Sequence, residues 1–280
     1  MQTLRLLDLP DEPEVPVLGQ GTWCMAEEPR KRAGEIAALR AGIDLGMTLI
    51  DTAEMYGDGA SETLIKEALS GRRSDIFLVS KVLPHHASRR GTVAACEASL
   101  RRLGTDYLDL YLLHWRGQVP LDETLEALQA LVRDGKIRRW GVSNFDLADM
   151  EELERLAGDD KPAVNQVLYN LSRRGIEYDL MPWCAERRIA VMAYSPIEQG
   201  RLLSNPALRR VAERHRASPA QVALAWVLRQ PGMIAIPKSG RVEHVADNRH
   251  ALELRLGDDD LAELDRAFPP PAGPQPLEMI

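Results

Sequence analysis

One pattern constrains this chain more than any other. A short β-branched or apolar run, a few polar residues and an amphipathic helical stretch follow one another from end to end. The runs are VLGQGT from Val17, TLIDTA from Thr48, IFLVSK from Ile76 and YLDLYLLH from Tyr107, then IRRWGVSN from Ile137, AVNQVLY from Ala163, IAVMAYS from Ile189 and MIAIPKS from Met233. Runs this short and apolar on both faces read as buried parallel strands. Between them, Ile36, Leu39 and Ile43 form one helical stripe, Val93, Cys96, Leu100 and Leu103 a second, and Leu121, Leu125, Leu128 and Val132 a third. Gly46, Gly104 and Gly135 follow these stripes, where a left-handed cap needs glycine. Each helix has one apolar face and must cover a sheet on one side.

Alternation on this scale over 280 residues fits an α/β fold of the closed (β/α)8 type, the TIM barrel, which typically takes about 250 residues. A doubly wound open sheet is the rival. It lacks support because Gly19-Gln20-Gly21 is followed by Thr22, Trp23 and Cys24, without the third glycine of a dinucleotide fingerprint. No composition shift marks a second domain, so residues 1–280 are expected to form a single barrel domain. The segment LRLLDLPDEPEV before Val17 reads as a short N-terminal hairpin closing the bottom of the barrel. Residues 269–280 read as a short Pro-rich C-terminal tail, the one linker-like stretch.

Composition removes several classes of function. A net charge of −7 leaves no basic footprint for nucleic acid. No apolar run reaches the length of a membrane helix, and the first residues carry acids and prolines where a secretory signal is apolar. Cys24, Cys96 and Cys184 lie far apart without a CxxC, which points to a reducing compartment and a cytoplasmic location. His85 and His86 are adjacent and no HxH or HExxH occurs, so no metal is expected. His215, His244 and His250 read as surface residues.

In a barrel the active site lies at the C-terminal ends of the strands, and polar residues stand there in nearly every unit. They are Asp51 with Tyr56 in the next loop, Lys81, His114, Ser143-Asn144, Asn165-Gln166, Tyr194-Ser195 and Lys238-Ser239. Carbonyl reduction needs a hydride on carbon and a proton on the developing alkoxide. A phenol is a poor acid near neutrality, but a neighbouring ammonium favours its anion and lowers its pKa. Lys81 is expected to do this for Tyr56, Asp51 to hold Lys81 charged, and His114 to orient the substrate oxygen. A Schiff-base aldolase using Lys81 is an alternative, disfavoured because Asp51 would keep the amine in its charged, non-nucleophilic form.

The stretch Asp51-Thr-Ala-Glu-Met-Tyr56-Gly57, the Ser80-Lys81 strand end, LDLYLLHW around His114, and the later GVSNF, NQ, AYSP and IPKS resemble the aldo-keto reductase superfamily over essentially the whole chain. The resemblance implies an NADPH-dependent carbonyl reductase, with NADH weaker, and a catalytic tetrad of Asp51, Tyr56, Lys81 and His114. It implies cofactor contacts from Gly21, Thr22, Trp23, Asp51, Ser143, Asn144, Gln166, Tyr194, Ser195, Gly200, Leu202, Lys238, Ser239, Arg241, His244 and Asn248. Trp23, Met55, Tyr56, His85, His114 and Trp115 would wall the substrate pocket. The short segments after the fourth strand and after Phe268 imply an open site. The PKS-to-DN stretch is similar to bacterial members that reduce methylglyoxal and other small aldehydes. A small-molecule carbonyl is the expected partner, without nucleic acid or membrane, and the chain is expected to act as a monomer. The same superfamily also includes cofactor-binding regulatory subunits of channels, the competing class.

Overall fold

The computed structural model describes residues 6–9 and 12–280. Strands β1 (Leu6–Leu9) and β2 (Glu12–Pro16) pair antiparallel, with Leu7 opposite Val15. This is the expected hairpin; residues 4–5 and 10–11 of its segment lie outside the described ones. Eight parallel strands follow in chain order: β3 (Gln20–Gly21), β4 (Leu49–Asp51), β5 (Phe77–Val82), β6 (Leu108–Leu113), β7 (Ile137–Ser143), β8 (Val164–Leu168), β9 (Ala190–Tyr194) and β10 (Met233–Ala235). Every apolar run singled out in the sequence holds one of them. Parallel bridges Leu18 to Ala235 and Gly21 to Lys238 join the first strand to the last and close the barrel. At that seam a Cβ on Gly21 would lie 2.7 Å from the Ile236 carbonyl oxygen, so closure itself demands glycine there.

The wall is laid down by helices α1 (Arg32–Asp44), α2 (Ala60–Ala68), α3 (Arg89–Leu103), α4 (Leu121–Arg133), α5 (Leu147–Ala157), α6 (Leu180–Arg187), α7 (Pro206–His215), α8 (Pro219–Leu228), α9 (Val242–His250) and α10 (Asp258–Ala267). Gly104 caps α3 in the left-handed region at φ 66°, with its amide on the Leu100 carbonyl. Helix α8 departs from the one-faced pattern: every residue from Val222 to Leu228 is buried, as for a helix enclosed on all sides.

The core has two layers. One, between sheet and helices, includes Ile50, Leu78, Tyr111, Val142 and Trp226. The other fills the barrel and includes Val15, Leu49, Phe77, Val79, Leu110, Leu112, Val164, Ala190, Met192, Ile234 and Ile236. Strand side chains alternate between faces, so each inner column can be continued upward in steps of two. Leu49 leads to Asp51, Phe77 and Val79 to Lys81, Leu110 and Leu112 to His114, Val164 to Gln166, and Ala190 and Met192 to Tyr194. The apolar layer plugs the barrel, and the next inward position on strand after strand is polar.

Two expectations need correction. The Pro-rich tail is not a loose linker. Leu277 packs on the core, Gln275 lies against Gly175, and Glu278 pairs with Arg173. His215 is not a free surface residue, because its Nε2 lies 2.7 Å from Asp260 Oδ2, tying α7 to α10. His244 and His250 are exposed as expected, and the three cysteines are free. Among the described residues, no helix is long and apolar enough to cross a membrane and no His/Cys/Asp/Glu group is arranged to hold a metal ion.

Candidate active site

Asp51 ends β4, Lys81 lies one residue before the end of β5, and His114 follows β6 directly. Tyr56 comes from the loop after β4, in a tight turn over Tyr56–Gly59 where Gly57 and Gly59 take φ 56° and 86°. The four side chains meet. Lys81 Nζ donates to Asp51 Oδ2 at 2.8 Å, to the Thr52 carbonyl at 2.8 Å and to the Tyr56 hydroxyl at 3.2 Å. The Tyr56 and His114 rings stand edge to face with centroids 5.9 Å apart. Lys81 is fully buried, and a buried ammonium persists only with its hydrogen bonds complete. Here all three of its protons are used.

The surroundings hold this geometry. Gln166 Nε2 donates to Asp51 Oδ1 at 2.8 Å, so each carboxylate oxygen has its own donor. The Thr22 hydroxyl donates to the Asp51 carbonyl at 2.9 Å and accepts from Ser61 Oγ at 2.9 Å. Asn144, at φ 56°, donates to the His114 carbonyl at 3.0 Å, and its Oδ1 accepts from the Tyr194 hydroxyl at 2.9 Å. Ser143 Oγ donates to the Gln166 carbonyl at 2.8 Å. The donors expected to meet a carboxamide thus form an interlocked rack on the cavity floor.

Burial decides the protonation states. It drives the His114 pKa down to about 2, with Lys81 adding to the effect, so the imidazole is neutral. Burial opposes charge on Lys81, but Asp51 and then Tyr56 overcome it and hold the amine above its ordinary range. Tyr56 corrects the sequence-based expectation. Lys81 does pull its pKa down, but burial is the larger effect and the net shift is upward. The phenol is therefore firmly protonated, and the ammonium at 3.2 Å is placed to stabilise the phenolate left once the proton moves.

These groups open into a cavity of about 960 Å³, at the upper end of the range for small-ligand sites. Of the expected residues, Gly21, Thr22, Trp23, Asp51, Met55, Tyr56, His114, Trp115, Ser143, Asn144, Gln166, Tyr194, Ser195, Gly200, Lys238 and His244 line it. Five do not. His85 is exposed and packs at a tilt against His86, with ring centroids 4.1 Å apart. Leu202 turns into the core, while its neighbour Leu203 faces the cavity. Ser239 Oγ is occupied at the start of α9, accepting from the Arg241 amide at 3.2 Å. Arg241, the N-cap of that helix, lies 3.6 Å from Glu243 and faces solvent. Asn248 is buried within α9.

Sequence reasoning missed Cys24, Ile197, Leu203, Met279 and Ile280. Leu203 follows Leu202 in a 3-10 turn, where no simple periodicity separates inside from outside. Met279 and Ile280 arrive from the tail and reduce the expected openness of the site; no local signal announces them.

The chain matches the Aldo/keto reductase family model over residues 17–268. It is 52% identical to methylglyoxal reductase YeaE of Escherichia coli (strain K12), with 99% of each chain covered. It is 38% identical to the glyoxal reductase of Bacillus subtilis (strain 168), covering 95% of this chain and 94% of that one. Among solved structures, an aldo/keto reductase from Klebsiella pneumoniae in complex with NADP and acetate superposes with a TM-score of 0.97 at 50% identity, covering 99% of this chain and all of that one. With the barrel, the buried Asp51–Lys81–Tyr56 cluster and His114 in hand, these likenesses close the question of kinship: the chain belongs to the aldo/keto reductase family.

Proposed function

We propose that this protein reduces small aldehydes and ketones to alcohols with NADPH, and that dicarbonyls of the methylglyoxal type are among its substrates. The observation that carries the reading is the completely hydrogen-bonded Lys81, which ties Asp51 to Tyr56 at the floor of a nucleotide-sized cavity. NADPH, when bound, supplies the hydride. The chain's own residues supply the rest. Neutral His114 orients the carbonyl oxygen toward Tyr56. Tyr56 gives up its hydroxyl proton as negative charge grows on that oxygen. Lys81, held charged by Asp51, stabilises the resulting phenolate.

The residues present fit the cofactor. Asn144, Gln166 and Ser143 form the polar rack for a carboxamide, with the Tyr194 ring as a flat wall beside it. Lys238 adds a cation, and the His244 ring a polar neighbour, where the cavity reaches solvent. Trp23, Met55 and Trp115 offer apolar surface to the carbonyl's substituent, which suits small neutral substrates. The aldolase alternative is disfavoured because Lys81 is held as an ammonium, not a nucleophilic amine.

The test is carbonyl-dependent oxidation of NADPH across methylglyoxal, glyoxal and simple aldehydes and ketones. Turnover with several of them is expected. NADPH binding without any turnover would favour a cofactor-binding regulatory protein instead.

A further inference from the structure

Outside the tetrad, the most unusual backbone lies just beyond β9. Ser195, Glu198 and Gln199 take φ of 46°, 49° and 54°, and Gly200 follows at 86°. Non-glycine residues rarely occupy that region unless their surroundings hold them there. This segment faces the cavity through Ser195, Ile197, Gln199, Gly200 and Leu203. Its anchor is Glu198, which is 4% exposed. Glu198 Oε2 accepts from Asn170 Nδ2 at 2.7 Å, and Oε1 accepts from Arg201 at 2.7 Å and from Arg173 at 3.2 Å. Asn170 also donates to the Ser195 carbonyl at 3.0 Å.

Arg173 does something that Arg201 does not. Its other terminal nitrogen pairs with Glu278, and the next two residues, Met279 and Ile280, line the cavity. One guanidinium therefore joins the strained segment on one wall to the tail that forms another. Neutralising Glu198 does not require Arg173, because Arg201 and Asn170 already serve that carboxylate. The bridge to Glu278 is what Arg173 adds, and a forked guanidinium can span two carboxylates where a single ammonium cannot.

We infer that Arg173 is a positioning residue that anchors both the cofactor segment Ser195–Leu203 and the carbonyl-site wall at Met279 and Ile280 through one guanidinium. A second placement agrees with this. Ile280 lines the same cavity as Tyr194, whose hydroxyl in turn holds Asn144 on the floor. The inference rests on the proposed carbonyl reduction and deepens it: a single side chain serves both the cofactor end and the substrate wall.

Three variants separate the links. Arg201→Ala loosens only the cofactor segment and should raise the NADPH Kd while leaving the carbonyl KM unchanged. Glu278→Gln loosens only the tail and should raise the carbonyl KM while leaving the NADPH Kd unchanged. Arg173→Met should raise both, each about threefold to fivefold, the effect of a partly exposed ion pair, with kcat retained. Adding Glu278→Gln to Arg173→Met should cost nothing further in KM, a non-additivity that a general loss of stability does not produce. Melting temperatures of all variants serve as the control on folding. Arg173→Met with an unchanged KM, or additive KM effects in the double variant, would overturn the shared anchor. An inactive wild type would instead overturn the reductase reading, so the two failures are distinguishable.

Discussion

On the β4–β6 side of the barrel mouth, Asp51, Lys81 and His114 are 2%, 0% and 7% exposed, and they sit on regular strands or one residue beyond them. On the β9–β10 side, Lys238 and His244 stand in solvent, and the segment beside them holds three non-glycine residues at positive φ. The first region is set before any ligand arrives: Lys81 and Asp51 are paired, and every proton of Lys81 is already used. The second keeps the Lys238 ammonium exposed and stores backbone strain of about 1–3 kcal/mol per unusual residue, held by buried Glu198. Groups that move protons need fixed geometry and a dry setting. Groups that recognise a highly charged, hydrated ligand must stay accessible until it binds.

The sharpest way to break this comparison is Tyr56→Phe. Tyr56 lines the cavity and is the proton donor of the proposed mechanism, so kcat should fall by roughly 10²–10⁴-fold while NADPH binding, followed by fluorescence titration, stays near the wild-type value. A variant that keeps most of its kcat would take proton donation away from Tyr56. Next in size, Lys81→Met leaves Asp51 buried with Gln166 as its remaining side-chain donor. Removing one partner of such a pair should cost about 3–5 kcal/mol of stability, read from urea denaturation. A much smaller loss would mean that the buried pair is not what organises the floor.

The rim should respond more mildly and more selectively. Lys238→Ala should weaken NADPH about tenfold and NADH little, the low end for a charge-assisted hydrogen bond because Lys238 is exposed. Comparing kcat/KM for both cofactors checks this, and equal losses would show that Lys238 does not distinguish them. The smallest expected effect is none at all. Reduction needs Tyr56 protonated, and its pKa is raised above 10, so activity should be level from about pH 6 to about pH 9 and fall only as pH rises beyond the ordinary phenol range. His114, at about 2, is neutral throughout. A kinetic limb near the ordinary histidine value would show that His114 titrates and that the floor is wetter than its burial implies.

The floor was legible in the sequence and the rim only partly so, for a physical reason. Strand alternation is local, so Lys81 two positions beyond Val79 and Asp51 two beyond Leu49 follow from a period that sequence displays. Tyr56 sits in a loop, but its motif made it visible. The rim depends on turns whose direction is set by non-local bonds. That is why Leu202 was expected where Leu203 lies, and why Ser239 and Arg241 turned out to serve the start of α9. The sign of the Tyr56 shift was misjudged for a related reason. The sequence shows that a lysine is near, but not how much water the fold removes around the phenol, and that removal is the larger effect.

By itself, then, the sequence determined the barrel and the polar mouth that carries its chemistry; the reaction itself came from the family resemblance. Alternating runs fix parallel strands, apolar stripes fix the covering helices, and polar residues continuing the inner columns fix a reactive mouth, all through spacings of a few residues. Only the tertiary structure decided who else stands at that mouth. Gly21 is required because β3 meets β10 within 2.7 Å of where its Cβ would be. Residues 275–280 become a wall of the site because Leu277 finds the core and Glu278 finds Arg173. Such contacts join residues far apart in the chain. They depend on the shape left between elements already packed, and no local spacing encodes that shape.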